Sequence, residues 1–389
     1  MHPAKTFVLF LTSTLIFSCK KEKNTTASAV PASCVEQRSA LAGTIVEGEY
    51  IVAYRPASID ARALSAQRIS QLSRDILQRN NIQSTVIEET FQGEPGGFVA
   101  HLSTEEVTKL KNDPDIEAIE PDRIVALSTC FTVAEPRLLT WNIKRIGYGD
   151  GTGKTAWIID TGIDFTHPDL TVDQARSRSF INGVASANDE NGHGTHVAGI
   201  IGAKNNSFGV LGVASGATLV SLRVLDKEGS GLLSSIIQAL GYVNTNGSAG
   251  DVVNLSLGED SISAILDQEV QNTATRSIYI AIAAGNDSKP ARNFSPGRAN
   301  GTNIFTVSAI DSLDNFADFS NYGNDVVDYA VPGVHILSTY IGGKYAYMSG
   351  TSMAAPHMAG LLLLYGRNIT TNGTAKNDPD ATPDPIAHN

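Results

Sequence analysis

The chain has 389 residues, a formal net charge of −11, 18% charged residues and three cysteines. This length allows roughly two or three domains with an ample buried core. An acidic chain without a long basic run is a poor candidate for nucleic-acid binding. Three cysteines exclude both a disulfide scaffold and a four-thiolate zinc site. The class that remains is a globular, exported protein built from several segments.

The N-terminus has the composition of an export signal. A lysine precedes an apolar stretch at residues 7–17, and a serine and Cys19 follow it. A positive start, a short apolar region and a small residue before the cut are typical of a secretory signal peptide. Because a cysteine follows the small residue directly, residues 1–18 resemble a bacterial lipoprotein signal, which implies a lipid on Cys19. The alternative is a plain signal peptide, and under either interpretation the chain leaves the cytoplasm, either to the cell envelope as a lipoprotein or by secretion. Residues 19–46 are predicted to be a flexible tether.

Residues 47–125 have the pattern of a small α+β domain. Ser103 and the acidic residue three positions later predict a capping box that opens the second helix. The order β-α-β-β-α-β is the ferredoxin-like split motif, which by itself says little about function. The predicted strands are residues 49–54, 84–91, 97–102 and 116–125, and the predicted helices begin near residues 58 and 103.

From about residue 138 onward, short apolar strands alternate with helical patterns. Strands separated by helices imply a parallel sheet with helices on both faces. In such sheets reactive residues gather at the carboxyl ends of the strands. The predicted strands are residues 155–159, 218–224, 251–257, 278–283 and 304–309.

Three short motifs lie where that rule places reactive residues. Asp160 ends the first strand in Asp-Thr-Gly, His193 begins His-Gly-Thr-His, and Ser352 lies in Gly-Thr-Ser-Met-Ala at the start of an apolar helix. Taken singly, each has a commoner interpretation: a turn-capping aspartate, a metal-binding histidine and an N-cap serine. Together an orienting Asp, a base His and a nucleophilic Ser form an acyl-transfer triad, and subtilisin has the same chain order.

In these motifs the chain resembles the subtilisin-type serine endopeptidases, or subtilases, over about residues 138–370. The resemblance implies a three-layer α/β fold with a parallel sheet and helices on both faces. It implies peptide hydrolysis by Asp160, His193 and Ser352 without an organic cofactor. Asn286, at the end of Ala-Ala-Gly-Asn, matches the oxyanion-hole asparagine. The implied substrate-binding residues are Gly229, Ser230, Gly231, Ser256, Leu257, Gly258, Ala284 and Gly285.

The resemblance extends to a calcium loop. Residues 204–210 are similar to the calcium-binding loop of bacterial subtilisins, and Asp169 matches its bidentate carboxylate. Oxygen ligands of this kind suit Ca²⁺. A polar loop without metal remains the alternative. The implied ligands are Asp169, the side chain of Asn206 and the carbonyls of Lys204, Phe208 and Val210.

The resemblance also implies a role for the small domain. Propeptides with this element order assist the folding of subtilases and inhibit the active site. The implied partners are therefore polypeptide substrates and the chain's own propeptide, with a monomeric enzyme, no nucleic acid, and membrane contact only through a lipid anchor. Self-cleavage is expected after Asp122, between Arg123 and about Glu135, at a bond that the sequence does not identify.

Two further predictions concern the ends of the propeptide and of the chain. Cys34 and Cys130 flank the propeptide and form a possible disulfide in an oxidising compartment, with free thiols as the alternative. Such a bond would keep the propeptide attached after cleavage. Residues 371–389, rich in Asn, Asp, Thr and Pro, are predicted to be an irregular tail.

Two rival functions stay open at this point. One is a catalytically inactive subtilase fold that only binds other proteins. The other is a metal-dependent hydrolase built on His193 and His196, for which no third ligand lies at recognisable spacing.

Overall fold

The computed structural model describes most of the chain after the N-terminal segment. The predicted signal peptide, the predicted lipidation site Cys19, and Cys34 lie outside the described residues. Within the described part, none of the helices has the length and apolarity needed to cross a membrane. The described residues are 37–38, 43–55, 65–93, 95–126, 128–133, 139–258 and 261–389.

Residues 45–126 form the N-terminal domain, which has the predicted β-α-β-β-α-β order. A two-residue strand, β1 (Gln37–Arg38), precedes it. Its elements are β2 (Ile45–Tyr54), α1 (Ala66–Arg79), β3 (Ile87–Phe91), β4 (Gly97–His101), α2 (Thr104–Leu110) and β5 (Ile116–Ala126). The strands form an antiparallel sheet in the order β5-β2-β4-β3, and both helices cover one face of it. The predicted capping box of Ser103 and Glu106 begins α2.

Residues 139–389 form the large domain. Its helices are α3 (Trp141–Ile146), α4 (His193–Gly202), α5 (Leu233–Asn246), α6 (Ala264–Thr275) and α7 (Thr351–Tyr365). The strand β6 (Ser128–Val133) precedes the domain. The strands that follow are β7 (Gly149–Asp150), β8 (Thr155–Asp160), β9 (Arg178–Ser179), β10 (Ala214–Ser215), β11 (Thr218–Arg223), β12 (Ser230–Leu232), β13 (Val252–Leu255), β14 (Tyr279–Ala283), β15 (Ile304–Ile310), β16 (Val327–Pro332), β17 (Ile336–Tyr340), β18 (Lys344–Ser349), β19 (Thr370–Thr374) and β20 (Pro385–His388).

The main sheet of the large domain has nine strands in the order β19-β20-β16-β15-β14-β13-β8-β11-β9. Every neighbouring pair is parallel except β19 with β20. Ile158 on β8 packs in the layer that contains α4 and α7, whereas Trp157 and Ile159 pack in the layer that contains α5 and α6. A sheet buried on both faces explains why its strands read as nearly continuous apolar runs. The predicted three-layer α/β class is confirmed.

The two domains share one apolar layer. Ile51 and Val99 lie on the face of the N-terminal sheet that its own helices leave open. They belong to the same buried cluster as Ile236 and Leu240 of α5 and Leu266 of α6. Because burial of apolar surface drives association, this layer holds the N-terminal domain against the two helices.

Two acidic side chains of the N-terminal domain cap helices of the large domain. Asp122 accepts hydrogen bonds from the backbone N–H and the hydroxyl of Ser234 in the first turn of α5. Glu120 accepts hydrogen bonds from the hydroxyl of Ser263 and the N–H of Ile265 at the start of α6. Burial raises the pKa of both carboxyl groups above their ordinary values. Helix N-termini have free N–H groups and a partial positive charge, so these contacts fix the domain at two points.

The prediction of an irregular tail at residues 371–389 is wrong at both of its ends. β19 pairs with β20, and β20 extends the main sheet through the pair Ala330 and Ile386. The backbone N–H of Asn389 donates to the carbonyl of Ile146 at the end of α3. An open sheet edge has backbone N–H and C=O groups without strand partners. A segment whose buried apolar residues are few, such as Ile386 and Ala387, can therefore pair there as a strand.

The C-terminal segment contains a buried ionisable group, Asp384. The hydroxyl of Ser308 donates to Asp384 Oδ2 at 2.6 Å. Burial raises the pKa of Asp384 to about 7, and the nearby charges of Asp378, Asp380 and Asp328 act in the same direction. A carboxyl group with a raised pKa in the folded state adds stability below its unfolded value of 3.8. That stability is lost as the pH rises toward 7.

Replacing Asp384 by Asn removes this titration and keeps an acceptor for Ser308. From about pH 5 to about pH 7, the free energy of unfolding of the wild type should fall by up to about 1.4 kcal/mol per pH unit relative to Asp384→Asn. Denaturant unfolding of both proteins at several pH values measures the difference. The same substitution at the exposed Asp318 is the control. An identical pH dependence in the wild type and Asp384→Asn would contradict the prediction.

Candidate active site

The three triad candidates lie at the ends of buried elements. Asp160 is the last residue of β8, His193 is the first of α4 and Ser352 is the second of α7. His193 Nδ1 lies 2.8 Å from Asp160 Oδ1 and 2.9 Å from Oδ2, and both side chains are buried. Because an ionised carboxylate only accepts hydrogen bonds, Nδ1 carries the proton and Nε2 is the basic nitrogen.

Ser352 is held by backbone groups of a neighbouring segment. Its Oγ donates to the carbonyl of Ser256 at 3.0 Å, and the hydroxyl of Ser256 donates to the carbonyl of Ser352 at 2.7 Å. His193 Nε2 is buried and has no hydrogen-bond partner among the described residues. The hydrogen bond between Ser352 Oγ and His193 Nε2 is therefore not formed in this structure. Catalytic hydrogen bonds often tighten only in the reacting complex.

Asp189 supports this site, although the sequence predictions did not include it. It is buried, and it accepts hydrogen bonds from the hydroxyl of Thr161, the N–H groups of Gly192 and Thr195, and the Thr195 hydroxyl. These bonds join the turn after Asp160 to the first turn of α4. Asp189 lies in a loop and belongs to no motif, so only its position in space identifies its role.

Close backbone contact explains the glycine that follows His193. A Cβ atom on Gly194 would lie 2.1 Å from the carbonyl oxygen of Gly162. Only glycine allows α4 to begin directly against the Asp-Thr-Gly turn. The small residues in both motifs thus set the distance between Asp160 and His193.

Asn286 is held beside the start of α7. The N–H and the hydroxyl of Thr351 both donate to Asn286 Oδ1, each at 2.8 Å. This fixes the carbonyl end of the amide, so Nδ2 is the end that can donate elsewhere. Thr351 immediately precedes Ser352, and the N–H of Gly285 donates to its hydroxyl at 3.1 Å. The predicted oxyanion residue and the predicted nucleophile are therefore linked through one threonine.

A second asparagine, Asn321, orders the loop after β14. Its Nδ2 donates to the carbonyl of Ala284, and its Oδ1 accepts from the N–H groups of Asp287 and Lys289. A Cβ on Gly285 would lie 2.3 Å from Asn321 Nδ2, and Gly285 has a φ of 105°. Sequence reasoning missed Asn321 because it lies far along the chain from the residues that it supports.

One of the predicted substrate strands pairs with the N-terminal domain. Gly231 pairs with Val125 and Ser230 with Ala126, so that β12 continues the N-terminal sheet beyond β5. The second predicted segment, at 256–258, follows β13 and contacts Ser352 through Ser256. β12 therefore offers main-chain hydrogen bonds to an extended peptide, which here is the end of the N-terminal domain.

The predicted calcium residues also meet, but through hydrogen bonds. Asp169 Oδ1 accepts from Asn206 Nδ2 at 2.7 Å, and Asp169 Oδ2 accepts from the N–H of Val210 and the hydroxyl of Tyr345. The oxygen of the Asn206 side chain accepts from the N–H of Phe208. Burial raises the pKa of Asp169. The Asp169 carboxylate and the Asn206 amide oxygen are ligand types that suit a calcium ion, but here the amide presents its nitrogen to Asp169, and turning it would break the bond from the N–H of Phe208.

His196 has a structural role in the core. One nitrogen, Nε2, lies 3.0 Å from the carbonyls of both Ile336 and Ala346. Burial lowers the pKa of His196 to about 3, so it is neutral near pH 7. In the described part of the chain, no three His, Cys, Asp or Glu side chains are grouped as metal ligands. This arrangement does not favour the hydrolase built on His193 and His196.

Two family models match this chain in separate regions. The model described as the Subtilase family, peptidase S8, matches residues 151–371. The model described as Peptidase inhibitor I9 matches residues 49–128.

Several proteins and a solved structure are similar to about two thirds or more of this chain. The alkaline serine protease ver112 of Corniculantispora psalliotae is 38% identical over 71% of this chain and 72% of its own length. The M-protease of Shouchella clausii (strain KSM-K16) is 43% identical over 68% of this chain and 67% of its own length. The crystal structure of a cold adapted subtilisin-like serine proteinase matches with a TM-score of 0.57 and 33% identity, and covers 65% of this chain and 98% of the other.

Proposed function

Since the chain belongs to the subtilase family and is a serine endopeptidase with an I9 inhibitor propeptide, we propose that Ser352 is its nucleophile and that it cuts off its own N-terminal domain. The observation that carries the proposal is the hydrogen bond between His193 Nδ1 and Asp160 at the start of α4, a helix that shares a buried cluster with α7, the helix that bears Ser352. The inactive, binding-only alternative has no support from these residues.

The chemistry follows from the positions of the polar atoms. His193 Nε2 removes the proton of Ser352 Oγ as the oxygen attacks the substrate carbonyl, and later gives that proton to the leaving amine. Asp160 holds the imidazole in the correct tautomer and stabilises its cationic form. Asn286 Nδ2 and the backbone N–H of Ser352 donate to the developing oxyanion. Water then hydrolyses the ester and restores the serine.

The docked N-terminal domain supports self-processing. Its last strand lies on β12, where an extended substrate binds, and it enters this position within the same chain. An attached substrate has a high effective concentration, which favours cleavage in cis. After the cut, the shared apolar layer and the two helix caps keep the domain in place as an inhibitor.

Export, the lipid anchor on Cys19 and the disulfide between Cys34 and Cys130 are part of the proposal and rest on sequence alone. Cys19 and Cys34 lie outside the described residues, and Cys130 lies in β6. Growth with a labelled fatty acid tests the anchor, because Cys19→Ser should lose the label. The intact mass of the protein with and without reductant tests the disulfide between Cys34 and Cys130.

The calcium site is also a proposal, with Asp169, Asn206 and the carbonyls of Lys204, Phe208 and Val210 as ligands. An ion that binds only the folded chain stabilises it by mass action. We therefore expect a chelator to lower the melting temperature of the wild type and to leave that of Asp169→Asn unchanged. Equal effects on both proteins would place any calcium elsewhere, and no effect on either would contradict the site.

Asn286→Ala tests the oxyanion hole. Removing the amide donor should lower kcat by roughly 10²–10³, a magnitude known from subtilisin itself, with a small change in KM. Steady-state kinetics on a peptide substrate give both constants. The same substitution at the exposed Asn300 is the control. A kcat within a few-fold of the wild type would exclude Asn286 from this role.

Ser352→Ala tests the function as a whole. The wild type should convert to a form that lacks the N-terminal domain, and the variant should remain at full length, because it has no nucleophile. Mass spectrometry of both purified proteins measures the outcome. A wild type that stays long would contradict self-processing, whereas labelling of its Ser352 by an organophosphonate would still identify an active serine hydrolase.

A further inference from the structure

The segment between the two domains pairs with both sides of the candidate active site. On one side Ala126 pairs with Ser230 of β12, and on the other Cys130 pairs with Ser349 of β18. Both ladders are antiparallel, and β18 ends three residues before Ser352. β5 up to Ala126 and β6 from Ser128 are both extended strands, which is the conformation of a bound substrate.

The register identifies one bond in this stretch. Ala126 is the last residue that pairs with β12, and Cys130 is the first that pairs with β18. Ser128 lies midway between these two paired residues, and β18 leads directly into the helix that carries Ser352. We propose that Ser128–Thr129 is the bond that this protease cuts in its own chain.

The neighbouring backbone favours this bond as well. β1 pairs with the opposite edge of β6, with Arg38 opposite Ser128 and Gln37 opposite Thr129. Ser128 and Thr129 thus have strand neighbours that keep them extended, the conformation in which a protease receives its substrate. The proposal rests on the self-processing role proposed above and adds the identity of the bond.

The cut is an ordinary hydrolysis. Ser352 Oγ bonds to the carbonyl carbon of Ser128, and His193 accepts the hydroxyl proton. The bond from that carbon to the Thr129 nitrogen breaks, and His193 returns the proton to the nitrogen. Water then cleaves the ester, leaving a carboxylate on Ser128 and an amine on Thr129. Cys130 becomes the second residue of the large fragment, on the opposite side of the cut from Cys34.

The full-length precursor is purified early, and the first N-terminus of the large fragment is identified by mass spectrometry. We expect Thr129 in the wild type. Thr129→Pro should slow the cut on the order of 10²-fold, because proline restricts the residue before it and displaces the reacting carbonyl. Glu135→Pro, which lies beyond β6, is the matched control and should be cut like the wild type.

The outcomes separate this proposal from the proposed function. If the first N-terminus is not Thr129 but forms only when Ser352 is present, the assignment of the Ser128–Thr129 bond is wrong, whereas the proposed self-processing is supported. A wild type that is never cut would contradict self-processing itself. Thr129→Pro must melt in the same cooperative transition as the Ser352→Ala precursor. If it does so and is cut at the wild-type rate, the assigned bond is wrong.

Discussion

The pairing of β5 with β12 is the interaction on which the rest of the structure depends. One strand of the N-terminal domain pairs with β12, the predicted substrate-binding edge of the large domain. This pairing accompanies the packing of the sheet over α5 and α6 and the contacts of Glu120 and Asp122 with the helix N-termini. In the proposed function, inhibition of the site and presentation of the proposed scissile segment both follow from this set of main-chain hydrogen bonds.

The segments that carry the candidate catalytic groups are held together by hydrogen bonds to bridging residues. Asp189 joins the turn after Asp160 to the helix of His193, and Thr351 joins Asn286 to the helix of Ser352. Each bridge uses hydroxyl and N–H groups at a helix start, where backbone donors are otherwise unpaired. These hydrogen bonds within the protein hold the candidate groups in place, which is what preorganised electrostatic catalysis requires.

The sequence predicts the elements whose signals are local. Buried parallel strands give apolar runs, and the three motifs combine glycine turns with reactive side chains, so the α/β class and the candidate triad follow directly. The roles of Asp189 and Asn321 could not be predicted from the sequence, because their partners are distant along the chain and their own neighbours form no motif. The C-terminal strands could not be predicted from the sequence, because Ile386 is one of few buried apolar residues in a polar segment. The backbone hydrogen-bonding groups of the open sheet edge stabilise the strand there.

Hydrogen exchange at β12 tests the central claim most directly. In the Ser352→Ala precursor, the backbone amides of Ser230–Leu232 and of residues 124–126 should exchange slowly and together, because they form one ladder. In the mature enzyme freed of its N-terminal domain, the β12 amides should exchange rapidly while those of β8 and β13 stay protected. Equal exchange of the β12 amides in the two proteins would contradict the docking of β5 on β12 and the account built on it.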